Sequence, residues 1–568
     1  MKDFSILRIR ILSITILCVA LLFISKLYMI QVVHSQEYRD RADRQYVRPN
    51  QSVFDRGTIF FVTKDNDRIA AATLESGFTL AINPKQITND IDVYEKINAI
   101  LPLDKNDFLA KAGKKTDPYE ELAKHVADDV GLKIDSLKIP GVRIYKDRWR
   151  FYPGNTLASQ VLGFLSFKGN DLKAQYGLER QYNEVLSRNT DAVFANFFVE
   201  LFSNINKTVL KKEDLEGSIV KTIDPVVQGT LEKKIADLQT QYKSKLTGGV
   251  IMNPKTGEIY AMGASPSFNP NTYQTEKNIS SFGNPIVENV YEMGSIIKPL
   301  TMAAGIDAGV VTPETTYKDA GFVTLNKSTF YNFDKKGRGV VNMQEVLNQS
   351  LNTGVAFVVS KLGDTTFRNY MYGYGLSEKT GIDLPNEADS LVKNLKSPRE
   401  IEYATASFGQ GIALSPIQTV RALASLGNGG LLVTPHVVKR IEYRVGISRD
   451  ISYPEPKKVL KPETSTAITK MLVTVFDKAL LNGKIKMEHY SMAAKTGTAQ
   501  IADGHGKYLE NDYLHSFFGY FPAYDPKFIV FLFTVEPQGV EYASHTLAEP
   551  YSDIAKFLIN YYQVPPDR

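Results

Sequence analysis

Cysteine is nearly absent. Cys18 is the single one in 568 residues, which excludes an intramolecular disulfide and any cysteine-based zinc site. The seven histidines contain no H-x-x-x-H pair, so a histidine-rich metal centre is not expected. There is no G-x-x-x-x-G-K-[ST] phosphate loop, no internal repeat and no low-complexity tract. Neither a metal nor a cofactor is expected. A strong excess of one charge is also missing. The 67 Lys and Arg face 62 Asp and Glu, a net charge of +5, which predicts neither nucleic acid nor an acidic substrate as partner. What remains is a globular balance, 43% hydrophobic and 23% charged, long enough for about two to four domains.

One apolar run is long. Ile11–Ser25 (ILSITILCVALLFIS) carries no charge, and after Lys26 the stretch LYMIQVV continues it to Val33. Counted through Val33 it can span a bilayer, with Lys26 snorkelling to the interface. Lys2, Arg8 and Arg10 precede it against Asp3 alone. That bias puts a tail of residues 1–10 in the cytoplasm and the bulk of the chain outside. The following HSQEYRD offers no small-x-small cleavage site. The expectation is an uncleaved single-pass anchor over 11–33, in which Cys18 has no redox role, and not a removed signal peptide.

Residues 34–216 are charged and mixed, and are expected to form a first, non-catalytic domain. Apolar spacing in VYEKINAILPL and YEELAKHVADDVGL predicts helices within 91–135. Val142–Tyr145 reads as a strand and FYPGN as a turn. A second domain is expected over 217–568. SIVKTID alternates like a strand, and Pro225 opens a helical run to about Tyr242. Two strands joined by an N-P-K-T-G turn follow in 248–262, and Ser516–Tyr520 and Phe528–Val535 read as further strands. This order predicts an α+β domain with an antiparallel sheet flanked by helices.

Serine acyl transfer needs a nucleophile, a base beside it and donors for an oxyanion. One known set is S-x-x-K, S-x-N and K-T-G in chain order. Each piece occurs three times here, so context must choose. Ser218 and Lys221 lie in a strand pattern, where positions i and i+3 face opposite sides. Ser390 and Lys393 lack a helix-start geometry. Ser295 and Lys298 precede the apolar helical run LTMAAGI, and i, i+3 on a helix share a face. Pro299 fits only the first turn of that helix. The plainer alternative for Ser295 is an N-cap. Ser350 and Asn352 sit where one apolar helix ends and another begins, and helix caps are the alternative there too. Of the K-T-G triplets, Lys255 is at a hairpin tip and Lys379 in a loop. Lys495, Thr496 and Gly497 lie in a strand of small residues, which lets another extended backbone approach closely. One ordered set remains: Ser295/Lys298, Ser350/Asn352 and Lys495/Thr496/Gly497.

With their flanks (YEMGSIIKP, SLN and AKTGTA), these motifs resemble the class B penicillin-binding proteins, the monofunctional peptidoglycan D,D-transpeptidases. The likeness covers nearly the whole chain. Asp224 and Gln228, Asn253–Met262, Pro266–Pro270 and Phe408–Pro416 share it, as do Arg56-Gly57, Arg150–Gly154 and Tyr176–Arg180 in the first domain. Two departures are visible: Met293 stands where the family often has proline, and Phe61-Val62 replaces its Asp-Arg pair. The resemblance implies a penicillin-binding, serine β-lactamase-like transpeptidase domain with a helical subdomain, preceded by a pedestal or dimerisation-type domain and one transmembrane helix. It implies that Ser295 attacks a D-Ala-D-Ala stem peptide with loss of D-Ala, and that Lys298 takes the proton. Ser350 and Asn352 would relay protons and orient the peptide. Lys495, Thr496 and Thr498 would hold the carboxylate, with the amides of Ser295 and Thr498 as oxyanion hole. A β-lactam would acylate the same serine. The implied partners are an amine acceptor peptide, the cytoplasmic membrane, a SEDS-type glycan polymerase and the division or elongation machinery, with division slightly favoured. A secreted β-lactamase is disfavoured by the anchor, the first domain and the lack of E-x-x-L-N after Ser350, and a D,D-carboxypeptidase is the alternative that a product assay separates. A non-catalytic β-lactam sensor or scaffold is disfavoured by intact Ser295, Lys298 and Lys495.

Overall fold

The computed structural model describes residues 26, 54–168, 171–188, 216–444, 446–503 and 507–568. The expected tail 1–10 and, apart from Lys26, the expected anchor 11–33 lie outside them. Among the described residues no helix is long and apolar enough to cross a membrane. The chain divides into two compact units.

The described residues of the smaller unit are 26, 54–55 and 74–149. Helices Asp90–Asn98 and Lys105–Ala112 start where Asn89 and Asp104 cap the backbone N–H of Asp92 and Asp107. Phe78, Leu80, Ile82, Val93, Ile97, Phe108, Val126 and Ile134 form its core. The expected helix over YEELAKHVADDVGL is corrected. Glu120–Val126 is a strand, and a helix begins only at Asp128. Glu, Leu, Ala and Lys favour helix weakly, and pairing of Val126 with Phe78 and Ala123 with Leu80 overrides that preference.

The described residues of the larger unit join 56–73 and 150–188 to those from 216 onward. Its strand Ile59–Val62 runs parallel to Gly217–Lys221. The three family-like segments of the first domain meet here in one buried cluster. Arg56 Nε and Arg150 Nε each lie 2.6 Å from a Glu179 oxygen, and Arg150 Nη1 donates to Gly57 O at 2.8 Å.

Helix α1 (Pro225–Tyr242) begins with Asp224 accepting from the Val226 and Val227 N–H groups and with Pro225 in its first turn. Strands β1 (Leu246–Met252) and β2 (Ile259–Ser265) follow as an antiparallel pair. Helix α2 (Lys298–Asp307) packs against helix α3 (Asn352–Leu362). Strands β3 (Ala493–Ala502), β4 (Tyr508–Phe521) and β5 (Phe528–Val535) complete an antiparallel sheet of order β3-β4-β5-β1-β2. Every residue of β5 (FIVFLFTV) is buried, the continuous apolar run of a strand covered on both faces. Helix α4 (Ala543–Tyr561) packs on β4 with its Leu547, Tyr551, Ile554 and Leu558 in the core. Strand β3 is an edge, so one side of its backbone is unpaired within the sheet.

Candidate active site

Ser295 sits in a tight 3-10 turn, Gly294–Ile297, that runs directly into α2, with Pro299 in the first helical turn. In 3-10 geometry i and i+3 are eclipsed, which puts Ser295 and Lys298 on one face. Ser295 does not cap the helix, since no side-chain hydrogen bond closes this N-terminus. The turn needs Gly294, whose φ is +65°. It lies against β3: a methyl on Gly294 would meet Thr498 O at 2.9 Å, and one on Gly497 would meet Met293 O at 2.8 Å and Ile296 N at 3.0 Å. Gly497 therefore allows the serine turn to rest on the strand. Ser516 of β4, opposite Gly497, ties the two together by donating to Met293 O at 2.8 Å.

The Lys298 side chain is fully buried. Its amine donates to Ser350 O at 2.5 Å and to Ser350 Oγ at 3.1 Å, and among the described residues no hydrogen bond joins it to the Ser295 hydroxyl. Lys495 reaches the same hydroxyl, donating to Ser350 Oγ at 3.0 Å and to Thr496 O at 3.1 Å. Ser350 occupies the left-handed region, with φ 56°, between helix Met343–Asn348 and α3. That conformation turns its carbonyl and hydroxyl toward the one amine. Asn352 opens α3 and donates to Tyr331 O at 2.8 Å. Thr498 Oγ1 accepts from the Ala543 N–H, the first residue of α4, at 3.2 Å.

Burial pushes the Lys298 amine well below its ordinary value, and the Lys495 charge adds to that. Burial alone pushes Lys495 down to about 7. The site can therefore hold a neutral amine beside a serine hydroxyl and a second amine that titrates near neutrality. No group of three or more His, Cys, Asp or Glu placed to hold a metal exists among the described residues.

The expected residues thus come together from three elements. The rejected matches fall elsewhere: Lys255 is ion-paired to Asp525, Lys379 lies 3.6 Å from Asp389, and Lys221 is buried with its amine over the Phe61 ring. Several neighbours carry no signal in the sequence. Tyr331 receives Asn352, Ser516 holds the serine turn, and Glu292 accepts from Gly411 N–H and Tyr508 OH, each at 3.0 Å. Of these, only Glu292 stands next to a motif.

A family model described as "Penicillin binding protein transpeptidase domain" matches residues 247–558, and one described as "Penicillin-binding Protein dimerisation domain" matches 55–221. The chain is 28% identical over 538 residues to stage V sporulation protein D of Bacillus subtilis, covering 93% of this chain and 81% of that protein. It is 25% identical over 561 residues to the peptidoglycan D,D-transpeptidase FtsI of Buchnera aphidicola, covering 95% and 93%. Its fold resembles that of penicillin-binding protein 3 from Mycobacterium tuberculosis, crystallised with aztreonam, at a TM-score of 0.68, with 21% identity and coverage of 91% of this chain and 98% of that one. On the transpeptidase match, which takes in more than half of its length, and the dimerisation-domain match before it, this chain belongs to the class B penicillin-binding proteins.

Proposed function

We propose that the chain is a peptidoglycan D,D-transpeptidase that works through a Ser295 acyl-enzyme and binds β-lactams at the same serine. The observation that carries this is the convergence of two buried lysines on the Ser350 hydroxyl beside the Ser295 turn. Ser295 Oγ attacks the carbonyl carbon of the penultimate D-Ala of a donor stem peptide, and its proton passes to neutral Lys298, directly or through Ser350. The N–H groups of Ser295 and Thr498 receive the oxyanion. D-Ala leaves with a proton, and the amine of an acceptor stem peptide displaces the serine ester. Lys495, with the hydroxyls of Thr496 and Thr498, binds the terminal carboxylate, and Asn352 orients the peptide. The donor peptide adds alongside the free edge of β3.

The same reading divides the chain into a cytoplasmic tail over 1–10, an anchor over 11–33, a pedestal over 34–216 and the transpeptidase domain over 217–568. It places the enzyme in the cytoplasmic membrane with its N-terminus inside and its catalytic domain outside. A SEDS-type polymerase supplies the glycan strand in division or elongation. The test is site-resolved labelling. Fluorescent penicillin should modify Ser295, and Ser295→Ala should stay folded and unlabelled. Labelling of that variant at Ser218 or Ser390 would contradict the assignment.

A further inference from the structure

Asp319 is buried, only 3% exposed, and among the described residues it makes no ion pair. The guanidinium of the nearby Arg338 turns elsewhere, to Asp334 at 2.7 Å, Gln349 Oε1 at 2.8 Å and Lys336 O at 2.8 Å. An ionised carboxylate in such a place is costly unless donors surround it. They do. Asp319 accepts from Gly321 N–H at 2.9 Å, Arg338 N–H at 3.0 Å, Asn332 Nδ2 at 3.1 and 3.0 Å on its two oxygens, and Thr353 Oγ1 at 2.7 Å.

These donors come from two places. Gly321, Asn332 and Arg338 belong to the ribbon that follows Asp319. Thr353 belongs to the first turn of α3, directly after Asn352. The ribbon grips that turn at further points: Asn332 Oδ1 accepts the Thr353 N–H at 3.2 Å, Tyr331 O accepts Asn352 Nδ2 at 2.8 Å, and Tyr317 OH lies 3.0 Å from Thr353 Oγ1. A negative charge beside the N-terminus of an 11-residue helix is also favourable. Ser350 is therefore held from both ends. The buried lysines take its carbonyl and hydroxyl, and the ribbon takes the helix turn that follows it. Its left-handed conformation, with φ 56°, has no glycine to ease it and depends on that grip.

We propose that Asp319 is a positioning residue of the active site: acting through Thr353 and Asn332, it sets where Ser350 and Asn352 stand relative to Lys298 and Lys495. This rests on the transpeptidase reading of the site. The test is the second-order rate of acylation by a fluorescent penicillin, measured on full-length folded protein. Asp319→Asn keeps the shape but turns an amide NH₂ toward the surrounding donors. Thr353→Val removes the hydroxyl, and Thr353→Ser restores it. Asp319→Asn and Thr353→Val should each slow acylation ~10²-fold, the scale of an ångström-sized misplacement, and Thr353→Ser should recover most of the rate. In a Ser350→Ala background Asp319→Asn should cost much less than in the wild type, because one of the two groups it places is gone. A merely structural role moves the melting temperature but leaves the rate of the folded protein, or lowers it equally in both backgrounds; either result overturns the proposal. If Asp319→Asn does not fold, the Thr353 pair decides by itself. A wild-type protein that takes no penicillin at all overturns the reading of the site, and the proposal with it.

Discussion

Lys298 and Lys495 share one hydroxyl partner, so their roles separate through environment. Lys298 is driven toward neutrality by burial and then by the Lys495 charge. Arginine cannot deprotonate, so Lys298→Arg should abolish acylation, whereas Lys495→Arg keeps the charge and should retain a measurable fraction. Lys495→Ala should cost ~10²–10³ in rate, the usual loss for one placed electrostatic donor. Second-order acylation rates for the three variants decide this. Equal rates for the two arginine variants would remove Lys298 as the base. Burial pushes the Lys495 amine down to about 7, and an arriving carboxylate favours its protonated form. The acylation rate should therefore fall at low pH as Lys298 gains a proton, and fall above about 7 as Lys495 loses one in the free enzyme. Lys495→Arg should erase the alkaline limb. For stability the sign is the reverse of a salt bridge. The folded-state value lies below the unfolded one, so burial of the charge costs fully below about 7 and the cost fades toward 10.5. Lys495→Met should raise the melting temperature most at low pH, and less as pH rises through that window.

At the scale of elements, the site depends on a 3-10 turn lying against a glycine-bearing strand. Gly497→Ala would put a methyl 2.8 Å from Met293 O and 3.0 Å from Ile296 N. Overpacking of this kind costs about 1–3 kcal/mol. Acylation should drop by ~10²-fold as the serine turn shifts. Thermal melts and acylation rates on the same samples check both, and a variant with wild-type rate would show that the turn is not held by the strand. Much of this arrangement was legible in the sequence, because each motif lies on one element with a short spacing. The small-residue run AAKTGTA marked Lys495 as the strand lysine and set it apart from Lys255 and Lys379. What was not legible was long-range. Tyr331 O meets Asn352 across 21 residues of chain, and no spacing announces that. YEELAKHV carries helix-forming residues but is a strand, because its partner Phe78–Ile82 lies far back in the sequence.

At the scale of the whole molecule, packing joins segments that lie far apart in the chain. The composition change near Glu216 separates residues in order, but the strand Gly217–Lys221 pairs with Ile59–Val62, and Glu179 binds Arg56 and Arg150. A fragment starting at Gly217 should therefore melt lower and aggregate more than one starting near residue 54, by circular dichroism and light scattering, while both take penicillin when folded. Burial would raise the Glu179 carboxyl, but Arg150 and Arg56 hold it below its ordinary value. The stability it gives is thus present at neutral pH and lost as pH falls through its folded-state value. Removing one partner of such a cluster costs about 3–5 kcal/mol, so Glu179→Ala should destabilise by that order without changing the acylation rate of the protein that remains folded. The central claim is that Ser295 transfers a stem-peptide acyl group to an amine. Its most direct measurement incubates full-length protein in membranes with a D-Ala-D-Ala donor peptide and an amine acceptor, then follows D-Ala release and products by mass spectrometry. The expected result is one D-Ala released per cross-linked dimer, an acyl-enzyme mapped to Ser295, and neither with Ser295→Ala. D-Ala released with only the hydrolysed peptide formed, or dimer still made by Ser295→Ala, would contradict it.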